Sequence, residues 1–199
     1  AASGSPTPTY QWQVSTDSGA SWTNLTNAAP YSGVTTITLT VTSVTGSLTG
    51  TQYRAVATNS GGTATSNAAT LTVNVAPAIT TQPTNQTVAA GASTSFMVAA
   101  SGTPTPTYQW QISTNGGTTW TNLTNTATYS GVTTVALTVA NATAGLSGAQ
   151  YRAVATNSAG TATSAAATLT VNTAPAITTQ PTNQTVSAGS NTSFTVAAS

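Results

Sequence analysis

The sequence predicts an all-β fold, built as tandem antiparallel β-sandwiches on a 98-residue repeat. Tyr10-Gln-Trp12-Gln recurs as Tyr108-Gln-Trp110-Gln, Tyr53 to Asn59 as Tyr151 to Asn157, and Pro77 to Pro83 as Pro175 to Pro181. Residues 1–101 laid over 99–199 give 77 identities in 101 positions without a gap. A period near 100 residues is too long for a solenoid unit and matches one small domain. Within each period, short alternating apolar and polar runs are separated by Gly, Pro and Asn turn signals, with no helical period. Thr supplies 49 of the 199 residues, which favours strands over helices.

One whole period, 77–174, can be read element by element. Pro77 and Pro83 bracket Ala-Ile-Thr-Thr-Gln, an edge strand where a missing N–H is tolerated. Thr87-Val-Ala follows, then a turn at Gly91 and a strand from Ser93 to Ala100 with Phe96 and Val98 on one side. Met97 points the other way and has Thr195 as its counterpart, so that face is expected to be exposed. Pro104 and Pro106 make a stiff loop. Thr107 to Thr114 alternates Tyr108, Trp110 and Ile112 against Gln109 and Gln111, and Asn115-Gly-Gly117 signals a tight hairpin into Thr118–Thr124, which carries Trp120. Val132 to Val139 is expected to send Val135, Leu137 and Val139 inward. A loop at 145–148 leads into the strand around Tyr151, and Ser158-Ala-Gly160 closes a second hairpin into 161–171, with Leu169 and Val171 inward. About seven short strands of this kind predict a two-sheet sandwich.

These residues carry a resemblance. Phe96-x-Val98, Trp110 twelve positions on, and Tyr151-x-Ala153 resemble the immunoglobulin pattern of Cys, Trp and Tyr-x-Cys with both cysteines replaced. The proline-bracketed start, Tyr-Gln-Trp-Gln, Trp-Thr-Asn-Leu and the closing Ala-Thr-Leu-Thr-Val-Asn resemble the disulfide-free immunoglobulin-like repeats of large bacterial surface and fibre proteins. The resemblance covers the whole chain. It implies that Trp110 is the buried tryptophan of strand C and Tyr151 the corner tyrosine, its hydroxyl bonded to backbone. Trp12, Tyr53, Phe96, Val98, Leu137 and Leu169 complete the expected core. It also implies a role as stalk, fibre or adhesin spacer, although a fold does not fix a function.

Composition excludes most chemistry. Asp17, Arg54 and Arg152 are the only charged side chains, and there is no His, Cys, Lys or Glu. General acid–base and nucleophilic catalysis lack their titratable partners, and neither zinc nor calcium finds a ligand set. No enzyme activity, catalytic residue, metal site or cofactor is expected. A net charge of +1 cannot drive nucleic-acid binding, and no 18-residue apolar run would insert in a membrane.

Few residues remain as candidate sites. Asp17 and its counterpart Asn115 head the same hairpin and are expected to cap the turn. Arg54 and Arg152 should point out of the sheet. They either contact a neighbouring domain or chain, stacking on an aromatic or bonding carbonyls, or stand as solvated residues that discourage edge pairing. Trp22 and Trp120 either cover the sheet or form exposed platforms for a sugar or the next subunit. The Thr file 36, 38, 40 and 42 becomes Thr134, Ala136, Thr138 and Ala140 in the second copy, so β propensity explains it better than an ice-binding lattice. Six Asn-x-Ser/Thr sequons are what so Thr-rich a chain yields by chance.

On this reading residues 1–75 hold a repeat without strands A and B, 76–173 a complete repeat, and 174–199 strands A and B of the next. The expected function is a structural repeat of a bacterial extracellular filament, sheath or stalk at the cell surface, continued or polymerised head to tail. Its partners are then neighbouring repeats or identical chains. The alternative is an adhesin or carbohydrate-binding module, with a glycan as partner, using an exposed Trp or the loop 141–149, where the copies differ most. A sugar site needs a solvent-exposed Trp; a stalk does not.

Overall fold

The computed structural model describes residues 2–199. In the first repeat the strands are β1 (Thr9–Ser15), β2 (Thr23–Asn24), β3 (Tyr31–Ser32), β4 (Thr40–Val41), β5 (Gln52–Asn59), β6 (Gly62–Thr65) and β7 (Ala69–Thr70). The second repeat runs β8 (Val75–Thr81), β9 (Gln86–Ala89), β10 (Thr94–Met97), β11 (Ala99–Thr103), β12 (Thr107–Ser113), β13 (Thr121–Asn122), β14 (Tyr129–Ser130), β15 (Ala136–Val139), β16 (Gln150–Asn157), β17 (Gly160–Thr163) and β18 (Ala167–Asn172). β19 (Ile177–Thr179) and β20 (Ala197–Ala198) follow. Single 3-10 turns at Gly46–Leu48 and Ala144–Leu146 are the only helical elements among the described residues. Contacts divide the chain into two units, Ala1–Ala78 with Ser101–Pro106 and Thr156–Thr161, and Ile79–Ala100 with Thr107–Ala155 and Ala162–Ser199.

The second repeat is a two-sheet sandwich. One sheet is ordered β13-β12-β16-β18-β9, with β17 also paired to β16; the other side holds β10-β15-β14 and the pair β11-β8. β9 joins β18 in parallel, Leu169 opposite Gln86 and Val171 opposite Val88. β10 runs antiparallel to β15, Phe96 opposite Leu137. Alternation sends one face of each sheet inward. Phe96, Val98, Trp110, Leu137, Tyr151 and Leu169 meet in one core, and Trp110 and Tyr151 have no exposed surface. Phe96 stacks on Tyr151 at 4.8 Å and tilts toward Trp110 at 6.4 Å between ring centroids. The Trp110 indole N–H donates to the Thr134 carbonyl at 2.9 Å, so its one polar atom is satisfied in the apolar interior.

Three local expectations change. The β15 strand starts at Ala136, because Gly131 (φ +72°) begins a turn closed by Thr134 N–H to Gly131 O. That turn places Val132 inside at 4% exposure and leaves Val135 outside at 45%, reversing the expected side for Val135. The Trp120 strand shrinks to Thr121–Asn122. The Tyr151 hydroxyl meets the Tyr129 hydroxyl at 3.5 Å instead of backbone, because its ring is drawn between Phe96 and Tyr129 in the core. Burial there pushes its ionisation well above the ordinary tyrosine range.

The first repeat repeats one sheet, β2-β1-β5-β6 with β7 also on β5, and the short pair β3-β4. Residues 2–8 form no strand. Its core is smaller: Leu25, Val34 and Tyr53 are buried, while Trp12, Leu39, Val41 and Leu71 are only partly covered.

Candidate functional site

The few charged and aromatic side chains singled out by the sequence converge on one outward face, once in each repeat. Antiparallel register puts Gln13 opposite both Arg54 and Asn24, and Gln111 opposite Asn122. Arg152 donates its Nε–H to Gln111 Oε1 at 2.8 Å, and Gln111 Nε2 donates to Asn122 Oδ1 at 2.8 Å. The guanidinium carbon lies 4.1 Å from the centroid of the Trp120 ring. Arg54, Gln13, Asn24 and Trp22 repeat the arrangement, with Arg54 Nε to Gln13 at 2.7 Å and its guanidinium 4.1 Å from the Trp22 ring. A cation over an indole face is attractive by about 0.5–1 kcal/mol at exposed sites.

Each tryptophan is held from below as well. Trp120 Nε1 donates to the Gly117 carbonyl at 3.0 Å and Trp22 Nε1 to Gly19 at 3.1 Å. The glycines turn at φ +87° and +90°, and a Cβ on either would sit 3.7–3.8 Å from the indole, so the hairpin tip lies against the ring. Both tryptophans are therefore half-buried beneath an arginine of their own repeat, and the polar ends of the ladder bond one another. A sugar could stack on the covered face only by displacing the arginine.

The hairpin beneath has its own polar frame. Ser15 Oγ donates to Asp17 Oδ1 at 2.7 Å, and Asp17 accepts the Ser21 hydroxyl at 2.5 Å and the Ser21 N–H at 2.9 Å. These bonds, the Ser21 hydroxyl foremost, hold the Asp17 carboxyl down to about 2. Asn115 does the same work uncharged, accepting from Thr119 N–H at 2.9 Å and donating to Thr119 Oγ1 at 2.8 Å.

Two features went unread in the sequence. Asn157 donates to the carbonyls of Val75 and Pro104, both at 2.8 Å, tying the entry of β8 to the loop after β11; Asn59 reaches Pro6 in the same way. Their only signal was the repeated Thr-Asn-Ser after each Tyr-Arg-Ala-Val-Ala. The loop 141–149 is anchored more firmly than its sequence divergence suggests: Ala142 and Ala149 are buried, and Ala142 bonds Gly91 and Ala92 through its backbone. Among the described residues no cluster of three His, Cys, Asp or Glu forms, and no helix is long and apolar enough to cross a membrane.

Comparison with known proteins agrees with this architecture. The immunoglobulin I-set domain family matches residues 77–171, and a domain of unknown function matches residues 1–75. Residues 1–73 are the counterpart of 99–171, so the two matches largely describe one module in two frames. Endoglucanase C of Cellulomonas fimi is 41% identical over 124 residues, 62% of this chain and 10% of the endoglucanase. The similarity thus concerns a small part of that enzyme. Among solved structures, the titin I-band fragment I67-I69 has a TM-score of 0.60 at 21% identity, over 89% of this chain and 59% of that one. The N-terminal four immunoglobulin domains of Dscam1 isoform 4.44 have a TM-score of 0.56 at 20% identity, over 84% of this chain and 38% of theirs. The strand order and the tandem neighbours show an immunoglobulin-like fold without disulfides, and residues 77–171 match the I-set domain family.

Proposed function

We propose that this chain is a segment of a head-to-tail run of immunoglobulin-like domains in a bacterial extracellular stalk, sheath or filament, acting by packing and reach and carrying no catalysis. The observation that carries this reading is the repeat itself: 77 of 101 aligned positions are identical, including the outward Trp–Arg–Gln–Asn ladder. The repeated face bonds within its own domain, which suits a spacer that needs the same domain many times. A net charge of +1 adds little electrostatic repulsion between neighbours. The test is immunogold labelling of thin sections of producing cells with antibody against residues 76–173. A decorated surface fibre or sheath is expected; labelling confined to the cell interior refutes the proposal.

A second reading is favoured by the match to part of Endoglucanase C: the domains serve as a spacer or accessory module in a multidomain protein that works on polysaccharide. Affinity electrophoresis in gels containing cellulose or soluble glucans separates the readings. Retardation that is lost in Trp22→Ala/Trp120→Ala supports a glycan-binding module, and unretarded migration supports a spacer.

A further inference from the structure

On the outward face of the second repeat, one arginine sets the direction of two amides. A guanidinium can only donate, so the bond from Arg152 Nε at 2.8 Å fixes Gln111 with Oε1 toward the arginine. Gln111 Nε2 then lies on the far side, donating to Asn122 Oδ1 at 2.8 Å and turning the Asn122 amide in the same sense. Each amide oxygen in the row therefore accepts a bond from within the domain. What is left over is N–H: Arg152 Nη1 and Nη2, the second hydrogen of Gln111 Nε2, and Asn122 Nδ2. Among the described residues no buried side-chain nitrogen lacks a partner, so these uncommitted groups reach solvent.

The donor edge is also held in place. The guanidinium lies 4.1 Å from the Trp120 ring centroid, and Trp120 is itself bonded to the Gly117 carbonyl. A long side chain fixed in this way loses little further freedom on binding an anion. The first repeat has the same row in the same sense: Arg54 donates to Gln13, Gln13 to Asn24, and the guanidinium covers Trp22. The one carboxylate of the chain cannot serve these cations, because Asp17 is engaged by Ser15 and Ser21 in its own hairpin. An acceptor of opposite polarity stands one pleat along β12. Gln109 spends its Nε2 on the carbonyls of Trp110 and Leu123, at 2.8 and 2.9 Å, and keeps Oε1 for a donor.

We propose that this face binds an acidic polysaccharide. The Nη edge of Arg152 takes a uronate carboxylate as a bidentate pair, Gln111 and Asn122 add N–H donors, and Gln109 Oε1 accepts a sugar hydroxyl. Arg54, Gln13, Asn24 and Gln11 offer the same set in the first repeat. A polymer with a carboxylate on each sugar can engage both copies, so modest single contacts gain by avidity. An acidic peptide fits less well, since an anchoring side chain would want an apolar surface beside the charge and the indole is already covered by the guanidinium. This goes beyond the stalk reading and does not depend on it.

The test is biolayer interferometry of the full chain over immobilised polygalacturonate at low ionic strength, with fully methyl-esterified polygalacturonate and polyglutamate as comparison surfaces. Binding to polygalacturonate is expected, weakening as salt rises and at least about tenfold tighter than to the ester. Arg54→Lys/Arg152→Lys keeps the net charge at +1 but removes the planar fork, and should weaken binding at least about tenfold. No binding, equal binding to the ester, or binding unchanged in the lysine variant refutes the proposal. Polyglutamate bound as tightly as polygalacturonate overturns the assignment to a polysaccharide. A second measurement needs no variant. The chain has two arginines, so their side-chain N–H signals in nitrogen-15 NMR are direct reporters; both should shift on adding trigalacturonate, and shifts confined to other residues would refute the site. Failure of these tests together with surface-fibre labelling leaves the stalk standing, and binding without surface labelling does the reverse.

Discussion

Trp110→Ala probes the sandwich at its centre. The indole is fully buried, lies 6.4 Å from the Phe96 ring, and donates its N–H to the Thr134 carbonyl at 2.9 Å. Truncating a buried Trp to Ala destabilises by about 3–5 kcal/mol through lost transfer and the cavity left behind. For a domain of this size each kcal/mol moves the melting temperature by about 4–8 °C, so a fall of at least about 12 °C is expected for the second repeat. Trp12 occupies the same sequence position in the first repeat but is only partly covered, with its indole N–H on the Thr36 carbonyl at 3.0 Å. Its truncation should cost about 1–2 kcal/mol, in proportion to the smaller area it hides. Differential scanning calorimetry of the chain and both variants reads the two effects. A Trp110→Ala transition within a few degrees of wild type, or a larger loss from Trp12→Ala than from Trp110→Ala, would refute the packing account.

Other expectations follow from the charges and rings. Because Asp17 is held down to about 2, it contributes stability above its ordinary value, lost as pH falls through about 2; Asp17→Asn should flatten the acid limb of melting temperature against pH. Tyr151 is displaced upward, so its contribution is full below about pH 10 and is lost as pH rises beyond it; Tyr151→Phe should retain the core yet reduce the alkaline fall, and an unchanged alkaline limb would count against burial as the cause. Between those limits little else titrates, and a thermal melt from pH 5 to 9 should be nearly flat. Arg152→Ala removes the cation over Trp120 and the bond to Gln111, which should cost about 0.5–1.5 kcal/mol and raise the accessibility of Trp120 to acrylamide quenching. Met97→Thr, which installs the residue found at 195, should stay within about 0.5 kcal/mol, since Met97 is 60% exposed.

The sandwich was legible because alternation is a local property. Phe96/Val98, Tyr108/Trp110/Ile112 and Leu169/Val171 each declare an inward side, and Gly and Asn mark the turns. The misreading of Val135 came from treating 132–139 as one strand. Thr133-Thr134 carries no turn residue, and the decisive feature is the Thr134 bond to Gly131 at 3.0 Å, which needs the folded loop. The ladder was half legible. Register could place Arg152 beside Gln111, but that Trp120 lies under the guanidinium depends on the hairpin tip folding back through Gly117, whose positive φ no alternation pattern reveals.

By itself the sequence determined the period, most of the strand faces and the positions of the aromatic residues. It could not distinguish Trp12 from Trp110, Leu39 from Leu137 or Phe194 from Phe96, because the local sequence around each pair is nearly the same. Tertiary structure separated them: Trp110, Leu137 and Phe96 are sealed by strands distant in sequence, whereas Trp12 and Leu39 are only partly covered and Phe194 is exposed. Burial belongs to the completed pair of sheets, and the same tryptophan becomes core only where a second sheet closes over it.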